Sequence, residues 1–393
     1  MKSENYDFTI SGAGLVGSLL ALALDKMGYS VCLIEKSNFD NSKNRSDYFY
    51  PLSLNYRSKM ILEKLGLWDQ VVKISYPINE LTITYRNNLS KIGITSEDVG
   101  LDNLGFVVDR NKLLQVYRNS VRKYFGGDLK VKSEIQSVKK QKKNLVLLTN
   151  TESLNSKYLI VSDGIESELS KLVSSKVEKI DYNQISFLLN CNGSFHQKHA
   201  VQFFNSKGIF ALIPYSNLSA NLIITLNKDQ EDKYFINGEP IHDKIIDLFS
   251  QYITDVKKLK LITSYNLITH RSDTIYDDRV MLFGNSLQLL HPVGAQGYNF
   301  SMRCIEYMIN YFRNPSKIET DINNFIETIQ IDRKRTISNV DIALKFMNND
   351  HILSSLISRF AFSFIQNNSS LKSILLENII GLNSFSFHRN YKE

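Results

Sequence analysis

Three glycines near the start of the chain have the spacing of a dinucleotide-binding turn. Gly12, Gly14 and Gly17 separate a short β-prone run, residues 6–10, from an Ala- and Leu-rich stretch, residues 18–27. In such a strand–turn–helix unit the first glycine permits a tight turn, the second lets the backbone approach a pyrophosphate, and the third lets helix and strand pack closely. The helix N-terminus then offers unpaired N–H groups and a positive dipole end to the phosphates.

An acidic residue completes this unit. Residues 31–34 are typical of a buried second strand that ends in Glu35. An acid about 20 residues beyond the glycines is placed to accept a hydrogen bond from a ribose hydroxyl. We count Leu15 and Val16 within the turn, and Lys36 after the acid, with the nucleotide-binding residues. The alternative is an ordinary βαβ turn without a nucleotide, which would not require the strand, helix and acid to follow in this order.

Two further turns follow buried strands. Ser162-Asp163-Gly164 comes directly after residues 158–161, and Gly284-Asn285 comes after residues 279–283. A Gly-containing loop, residues 291–299, then precedes a helix predicted over residues 300–312. Taken alone, Asp163-Gly164 is a common surface turn, so its meaning depends on the other two motifs.

Several of the candidate residues also have purely structural interpretations. Arg110 at a helix start could be a surface charge. His291 is interpreted as a structural residue before Pro292, and we assign it no catalytic role. The aromatic residues of the central strands are interpreted as sheet core in preference to a substrate pocket; they are Phe187, Phe203, Phe204 and Phe210.

The order of elements predicts an α/β protein. We expect a Rossmann-like nucleotide-binding domain from residues 1–75, 100–180 and 270–320. An inserted, mainly antiparallel β-sheet domain should form from residues 76–99 and 181–269, and residues 321–393 should add C-terminal helices. The individual elements expected include helices over 52–67, 111–125 and 241–252, a hairpin over 81–94, and strands at 131–138, 145–148, 185–191, 200–204, 210–214, 222–226 and 262–268.

Composition excludes several classes of protein. The 393 residues contain 43% hydrophobic and 22% charged residues, which is typical of a globular domain. The net charge of +7 is scattered, and the basic run at residues 139–143 fits a solvated hairpin better than a nucleic-acid site. Three cysteines far apart indicate a reducing compartment and no metal site. We expect no signal peptide and no membrane-spanning helix.

Together, the three motifs resemble those of the single-component flavoprotein aromatic hydroxylases, the group of para-hydroxybenzoate hydroxylase. They are the glycine turn with Glu35, the DGxxS-like run after residue 162, and the run from Gly284-Asn285 to residues 291–299, which is similar to GD…HPxxGQGxN. Other features resemble the ubiquinone-biosynthesis branch: residues 53–58 leading to 65–68, residues 104–108 before Arg110, and the tail from 341 to 381.

This resemblance implies an FAD-dependent, NAD(P)H- and O₂-dependent monooxygenase. Such an enzyme hydroxylates a phenolic ring, here a polyprenylated ubiquinone precursor, through a C4a-hydroperoxyflavin, and NAD(P)H binds only transiently. The α-helix after the 291–299 loop would aim free N–H groups at the flavin edge where negative charge accumulates on reduction. The residues that the resemblance places around FAD are Gly12, Gly14, Leu15, Val16, Gly17, Glu35, Lys36, Arg45, Arg110, Asp163, Gly164, Gly284, Asn285, Pro292, Gly294, Ala295, Gln296, Gly297 and Asn299.

The sequence departs from the family at three positions, two of which are among these residues. Asn285 replaces the usual Asp, Ala295 stands where a glycine is usual, and Tyr50 stands three residues before Ser53 where an Arg is usual. An Asn can still hydrogen-bond a ribityl hydroxyl. If the φ angle of Ala295 is positive, it costs about 1–2 kcal/mol.

These departures leave two alternatives open. The chain could be a non-catalytic subunit that keeps the flavin fold within a ubiquinone-biosynthesis complex. It could also be a simple NAD(P) dehydrogenase, although the second and third motifs are not needed in one.

A prenylated substrate affects where the protein is expected to be located in the cell. We expect a cytoplasmic protein with a peripheral contact to the inner membrane or to a biosynthetic complex, because a prenyl tail stays in lipid. Apolar residues at helical spacing in 352–364 and 374–382 are predicted to pack on the flavin domain or to meet that surface.

Overall fold

The computed structural model describes residues 5–39, 48–85, 90–165, 167–173, 176–205 and 207–347. Within these ranges the chain forms two eight-stranded sheets, a three-stranded sheet and a two-stranded sheet, together with seven α-helices. The predicted α/β fold class is confirmed. Arg45 and the apolar faces predicted in residues 352–382 lie outside the described residues.

A mostly parallel sheet carries the glycine turn. Its strands are β1 (Asn5–Ser11), β2 (Val31–Glu35), β8 (Asp128–Val131), β9 (Ile135–Lys140), β10 (Leu145–Thr149), β11 (Ser153–Val161), β19 (Tyr276–Asp277) and β20 (Val280–Leu282). The main order is β19-β20-β11-β1-β2-β8, and β9 and β10 form an antiparallel hairpin beside β11. Strand β1 lies between its parallel neighbours β2 and β11, so the turn that follows it opens at the centre of the sheet edge.

A second sheet is almost entirely antiparallel. Its strands are β5 (Glu80–Tyr85), β6 (Ser90–Thr95), β12 (Val177–Phe195), β13 (His199–Asn205), β14 (Gly208–Pro214), β15 (Ser219–Asn227), β18 (Ile253–Ser272) and β21 (Gln288–Leu289), in the order β21-β18-β12-β15-β14-β13-β5-β6. Only β13 and β5 are parallel among these pairs of described strands. Strands β12 and β18 are far longer than the predicted runs 185–191 and 262–268. Their long mutual pairing extends them beyond their apolar centres.

One face of this second sheet is a separate apolar core. It includes the aromatic side chains of Phe187 and Phe210, which are buried against the helix α5 (His242–Phe249). Phe203 packs against the same core, whereas Phe204 belongs to a small cluster on the opposite face. The prediction that these aromatic residues serve as sheet core is confirmed, and the opposite face is left to line a cavity.

A three-stranded sheet includes the first residues of the helix that was predicted over residues 52–67. Its strands are β3 (Pro51–Asn55), β4 (Ser75–Ile78) and β7 (Gly105–Asp109), in the order β3-β7-β4. The helix predicted over 52–67 is wrong at its start, because residues 51–55 pair with β7 and Asn55 caps a helix that begins one residue later. That helix, α2 (Tyr56–Leu65), ends at Gly66, whose φ of 76° is the left-handed stop.

The remaining elements complete the layers around these sheets. The other helices are α1 (Leu15–Lys26), α3 (Trp68–Val71), α4 (Arg110–Tyr124), α6 (Gln296–Tyr311) and α7 (Ile318–Met347), and a short hairpin joins β16 (Phe235–Ile236) to β17 (Glu239–Pro240). Helix α7 packs on α6 through a buried ion pair, Arg303 Nε to Asp332 Oδ2, at 2.7 Å. No helix in the described ranges is long and apolar enough to cross a bilayer.

Candidate active site

Two glycines of the turn are required by packing, and the third faces open space. Gly12 has a φ of 92°, and a Cβ added there would lie 2.8 Å from the carbonyl oxygen of Ser162. A Cβ on Gly17 would lie 1.9 Å from the carbonyl oxygen of Gly12. A Cβ on Gly14 would meet no atom within 4 Å. The turn therefore closes tightly on the sheet and leaves a backbone face that a phosphate can approach.

Glu35 holds this turn as well as bordering the space in front of it. Its Oε2 accepts from the backbone N–H of Ala13 at 2.8 Å, and its Oε1 accepts from the backbone N–H of Ser37 at 2.9 Å. Arg118 of α4 lies 3.6 Å from Oε2 and donates to the carbonyl oxygen of Ala13 at 3.3 Å. The carboxylate is thus fixed in place, with lone pairs left to accept from a ribose.

The second and third motifs meet at the same sheet edge. The Ser162 hydroxyl donates to the carbonyl oxygen of Ser11 at 2.8 Å. The Ser286 hydroxyl contacts both the N–H and the C=O of Gly164, each at 3.0 Å, and so ties the two motifs together. Val16 of α1 lies against Gly284, where an added Cβ would be 3.1 Å from Val16 Cγ2. The three motifs, far apart in sequence, form one continuous wall.

The charged and polar candidates on this wall have different surroundings. Asp163 is exposed and accepts from the Ser167 hydroxyl at 3.0 Å. Asn285 is exposed, and its backbone carbonyl oxygen contacts His270 Nε2 at 2.5 Å. Lys36 is directed to Glu134 in a surface ion pair of 2.7 Å. Arg110 is exposed at the first position of α4. The Asn285 and Arg110 side chains are exposed and can face a cofactor, whereas Asp163 and Lys36 each have a partner within the protein.

The loop at 291–299 contains two consecutive left-handed residues. Gly294 has a φ of 69° and Ala295 a φ of 51°, and Pro292 and Gly297 beside them are exposed. Helix α6 begins at Gln296, four residues before the predicted start near Phe300, because Ala295 reverses the chain directly before it. No side chain caps this helix, so its first N–H groups are available to a ligand.

Asn299 fastens this loop to β3. Its Oδ1 accepts from the backbone N–H of Asn55 at 3.0 Å and from the Ser58 hydroxyl at 2.8 Å. Its Nδ2 donates to the carbonyl oxygens of Ser53 at 3.0 Å and Ala295 at 2.9 Å. All of the hydrogen-bonding capacity of this side chain is used within the protein, so Asn299 holds the loop against β3.

His291 fastens the other end of the loop to the second sheet. Its Nδ1 accepts from the backbone N–H of Val293 at 3.2 Å, which leaves Nε2 to donate to Gln184 Oε1 at 3.1 Å. The ring is 1% exposed, and burial lowers the pKa of His291 to about 4. A neutral imidazole with both nitrogens engaged is a structural residue, as predicted.

A tyrosine pair connects the loop to α4, since Tyr117 of the helix is buried and Tyr298 of the loop is half-buried. The hydroxyls of Tyr117 and Tyr298 are 3.0 Å apart. Burial raises the pKa of both phenols well above the usual value of about 10. Both side chains therefore stay protonated and uncharged near neutral pH.

A cavity of about 550 Å³ lies between the loop, β3 and β7, and the open face of the second sheet. Its lining is mostly aliphatic, and Arg110 is the charged side chain among the described residues that line it. Other lining residues include Leu52, Leu54, Ile78, Leu104, Phe106, Leu188, Ile209, Ala211, Ile213 and Ile223. Such a cavity suits an apolar ligand bound beside the loop.

A model of the FAD binding domain family matches residues 5–309. The chain belongs to this family. The glycine turn, the fixed Glu35 and the uncapped helices α1 and α6 fit FAD: open space faces Gly14, and the exposed loop residues border the cavity. The resemblance to flavoprotein aromatic hydroxylases is confirmed.

Two relatives support the same class, and one solved structure shares the fold. The ubiquinone hydroxylase UbiM of Neisseria meningitidis is 22% identical over 308 residues, which cover 76% of this chain and 67% of that protein. The ubiquinone hydroxylase UbiL of Rhodospirillum rubrum is 19% identical over 384 residues, covering 95% and 89%. The p-nitrophenol 4-monooxygenase PnpA of Pseudomonas putida is 14% identical with a TM-score of 0.79, and the match covers 97% of this chain and 99% of PnpA. The chain is a flavoprotein of the monooxygenase class, and the simple dehydrogenase alternative gains no support.

Some contributors to the site were not predicted. Arg118, Ser286 and Gln184 act through partners more than 100 residues away in sequence, which no local pattern reveals. Asn55 could have been found, because an Asn three residues before Ser58 is a typical helix cap. Its Nδ2 is buried without a partner among the described residues, beside the cavity.

Proposed function

We propose that this protein is an FAD-dependent monooxygenase that hydroxylates a phenolic ring carrying a prenyl tail, as in a ubiquinone precursor. The observation that carries the proposal is the aliphatic cavity that adjoins the 291–299 loop. The names of UbiM and UbiL support the same substrate class. Bound FAD, once reduced by transiently bound NAD(P)H, would supply the oxygen-transfer chemistry, which we propose proceeds through a C4a-hydroperoxide.

The protein's own part in this reaction is to bind, orient and exclude water. No carboxylate is found among the described cavity residues, so no side-chain anion lies there to repel the negative charge that the reaction develops. The aliphatic walls keep water from the reacting centre. The free N–H groups at the start of α6 favour negative charge at the adjoining edge of the cavity. Asn299 and His291 keep that helix start in position by the contacts described above.

The test is a turnover experiment with isotopic oxygen. Purified protein with FAD, NADPH or NADH, and ortho-prenylphenol is exposed to ¹⁸O₂, and the product is examined by mass spectrometry. We expect one ¹⁸O atom in a ring-hydroxylated product. A product labelled from water, or reductant consumption with only hydrogen peroxide formed across a panel of prenylphenols, would reject the proposed reaction.

One observation favours a second function. The left-handed Ala295 adds strain to the loop beside the cavity, as a subunit that has lost turnover could tolerate. In that case the protein would bind FAD and remain inactive alone, and we propose that it would support a biosynthetic complex. Copurification of a second hydroxylase together with absence of turnover would favour this function.

We further propose a peripheral contact with the inner membrane on the cytoplasmic side. A prenyl tail stays in lipid, since each buried CH₂ contributes about 0.8 kcal/mol, so the enzyme has to approach the bilayer. The net charge of +7 would favour an anionic surface. We expect cosedimentation with anionic liposomes that weakens as salt is added. Absence of binding at low salt would count against this contact.

A further inference from the structure

One row of side chains crosses five neighbouring strands on the floor of the cavity. Gln202 of β13 pairs with Ala211 of β14, and Ala211 pairs in turn with Ile223 of β15. Ile223 pairs with Leu188 of β12, which pairs with Thr263 of β18. All five side chains line the cavity. Since neighbouring strands are about 4.8 Å apart, the row spans about 19 Å, with a polar group at each end and three apolar groups between.

The Gln202 end of the row lies beside the 291–299 loop. Phe204 is two residues further along β13 and therefore on the same face of the sheet. Phe204 and Ile209 form an apolar cluster with Val293 of the loop. Thr263 lies four strands away from Gln202. His291 of the same loop contacts Gln184 of β12, so the loop runs alongside the row. A ring that sits against Val293 is therefore next to Gln202 and far from Thr263.

Gln202 is a polar group of the floor with unused hydrogen-bonding capacity. Nearby Thr225 already donates to the Ser186 hydroxyl at 3.0 Å, and His291 is engaged on both nitrogens. Within the described residues, the Gln202 amide has no side-chain hydrogen bond and no ion pair. A half-buried amide beside an apolar row can accept from a phenol hydroxyl or donate to its oxygen.

We propose that Gln202 is a specificity-determining residue that hydrogen-bonds the oxygen substituent of the substrate ring. Ala211, Ile223 and Leu188 then receive the first part of the prenyl tail as it leads away from Val293. This inference rests on the proposed function, because it assumes that a phenol carrying a tail occupies the cavity. The amide orients the ring, and it takes no proton in the reaction.

Two ligands separate the hydroxyl contact from the apolar contacts. Ortho-prenylphenol and prenylbenzene share the tail and differ in the hydroxyl alone. Each is titrated into the FAD-loaded protein and followed by the change in visible flavin absorption. We compare the wild type with Gln202→Leu and, as a matched control at the other end of the row, Thr263→Val. Gln202→Met serves as a second variant should Gln202→Leu lose its FAD.

We expect the wild type and Thr263→Val to prefer the phenol by about tenfold, which is the worth of one good hydrogen bond. Gln202→Leu and Gln202→Met should bind both ligands about equally. If these variants keep the tenfold preference, the role of Gln202 is refuted while the proposed function stands. If the wild type binds neither ligand, the proposed function fails, and the assignment of Gln202 fails with it.

Discussion

The two loops that border the candidate FAD site are held in shape by different interactions. In the glycine turn, residues 12–17, a Cβ on Gly12 or Gly17 would lie 2.8 or 1.9 Å from a backbone oxygen. In the 291–299 loop, an alanine occupies a left-handed position, and the loop is held by the side chains of His291 and Asn299. The first loop is fixed by steric necessity, and the second by hydrogen bonds that substitution can weaken one at a time.

The largest effect is expected from crowding the first loop. In Gly17→Ala the new Cβ meets the Gly12 carbonyl oxygen, so we expect a loss of about 3 kcal/mol or more of stability, together with loss of FAD. Gly14→Ala is the matched control, since its Cβ meets nothing within 4 Å and the apo protein should keep its stability. Urea unfolding measures both. Equal destabilisation by the two substitutions would remove the distinction between these glycines.

In the second loop, removal of the Asn299 side chain should have the next largest effect. Asn299→Ala deletes four hydrogen bonds and leaves the Ser53 and Ala295 carbonyl oxygens without this partner. We expect about 2–3 kcal/mol lower stability and a faster dissociation of FAD. Stopped-flow measurement of FAD release, beside urea unfolding, checks both. Unchanged FAD release in a destabilised variant would mean that Asn299 supports the fold alone and does not position the loop.

The His291 contact should make stability depend on pH. Because the folded-state pKa is lowered to about 4, the unfolded chain binds this proton first as pH falls below about 6.5. The stabilisation is therefore complete above pH 6.5 and declines as pH falls toward 4. We expect a loss of about 2 kcal/mol between pH 7.5 and pH 5 that is absent in His291→Gln. The same slope in both proteins would place the titration elsewhere.

The difference between local and distant contacts explains which parts of the fold and of the candidate site could be predicted from the sequence. The glycine turn could be predicted because Gly12, Gly14 and Gly17 lie close together between a strand and a helix, so the whole motif is local in sequence. The start of α2 could not be predicted, because Leu52 and Leu54 fit a helical pattern locally. Pairing with β7, about 55 residues further along the chain, makes these residues a strand. Strain at Ala295 was predicted for the case of a positive φ, and the φ of this residue is 51°. The partners of Asn299 and His291 lie 107 or more residues away for their longest contacts, beyond any local pattern.

The smallest effect concerns the strain at Ala295. Ala295→Gly relieves a left-handed alanine, and after the entropy cost of glycine we expect a gain of up to about 1 kcal/mol. Lys198→Gly is the control, since Lys198 has a φ of 57° in a turn outside the loop. Both variants should gain stability by thermal unfolding, and only Ala295→Gly should change FAD affinity. Lower stability in Ala295→Gly would show that the alanine methyl is itself a useful contact.

The stoichiometry of bound flavin tests the central claim most directly. Purified protein incubated with FAD is desalted and denatured, and the released flavin is measured against protein by absorption. The account predicts one FAD per chain for the wild type and none for Gly14→Val, whose side chain enters the open space in front of the turn while the fold remains intact. A wild type without flavin, or a folded Gly14→Val that retains one FAD per chain, would contradict it.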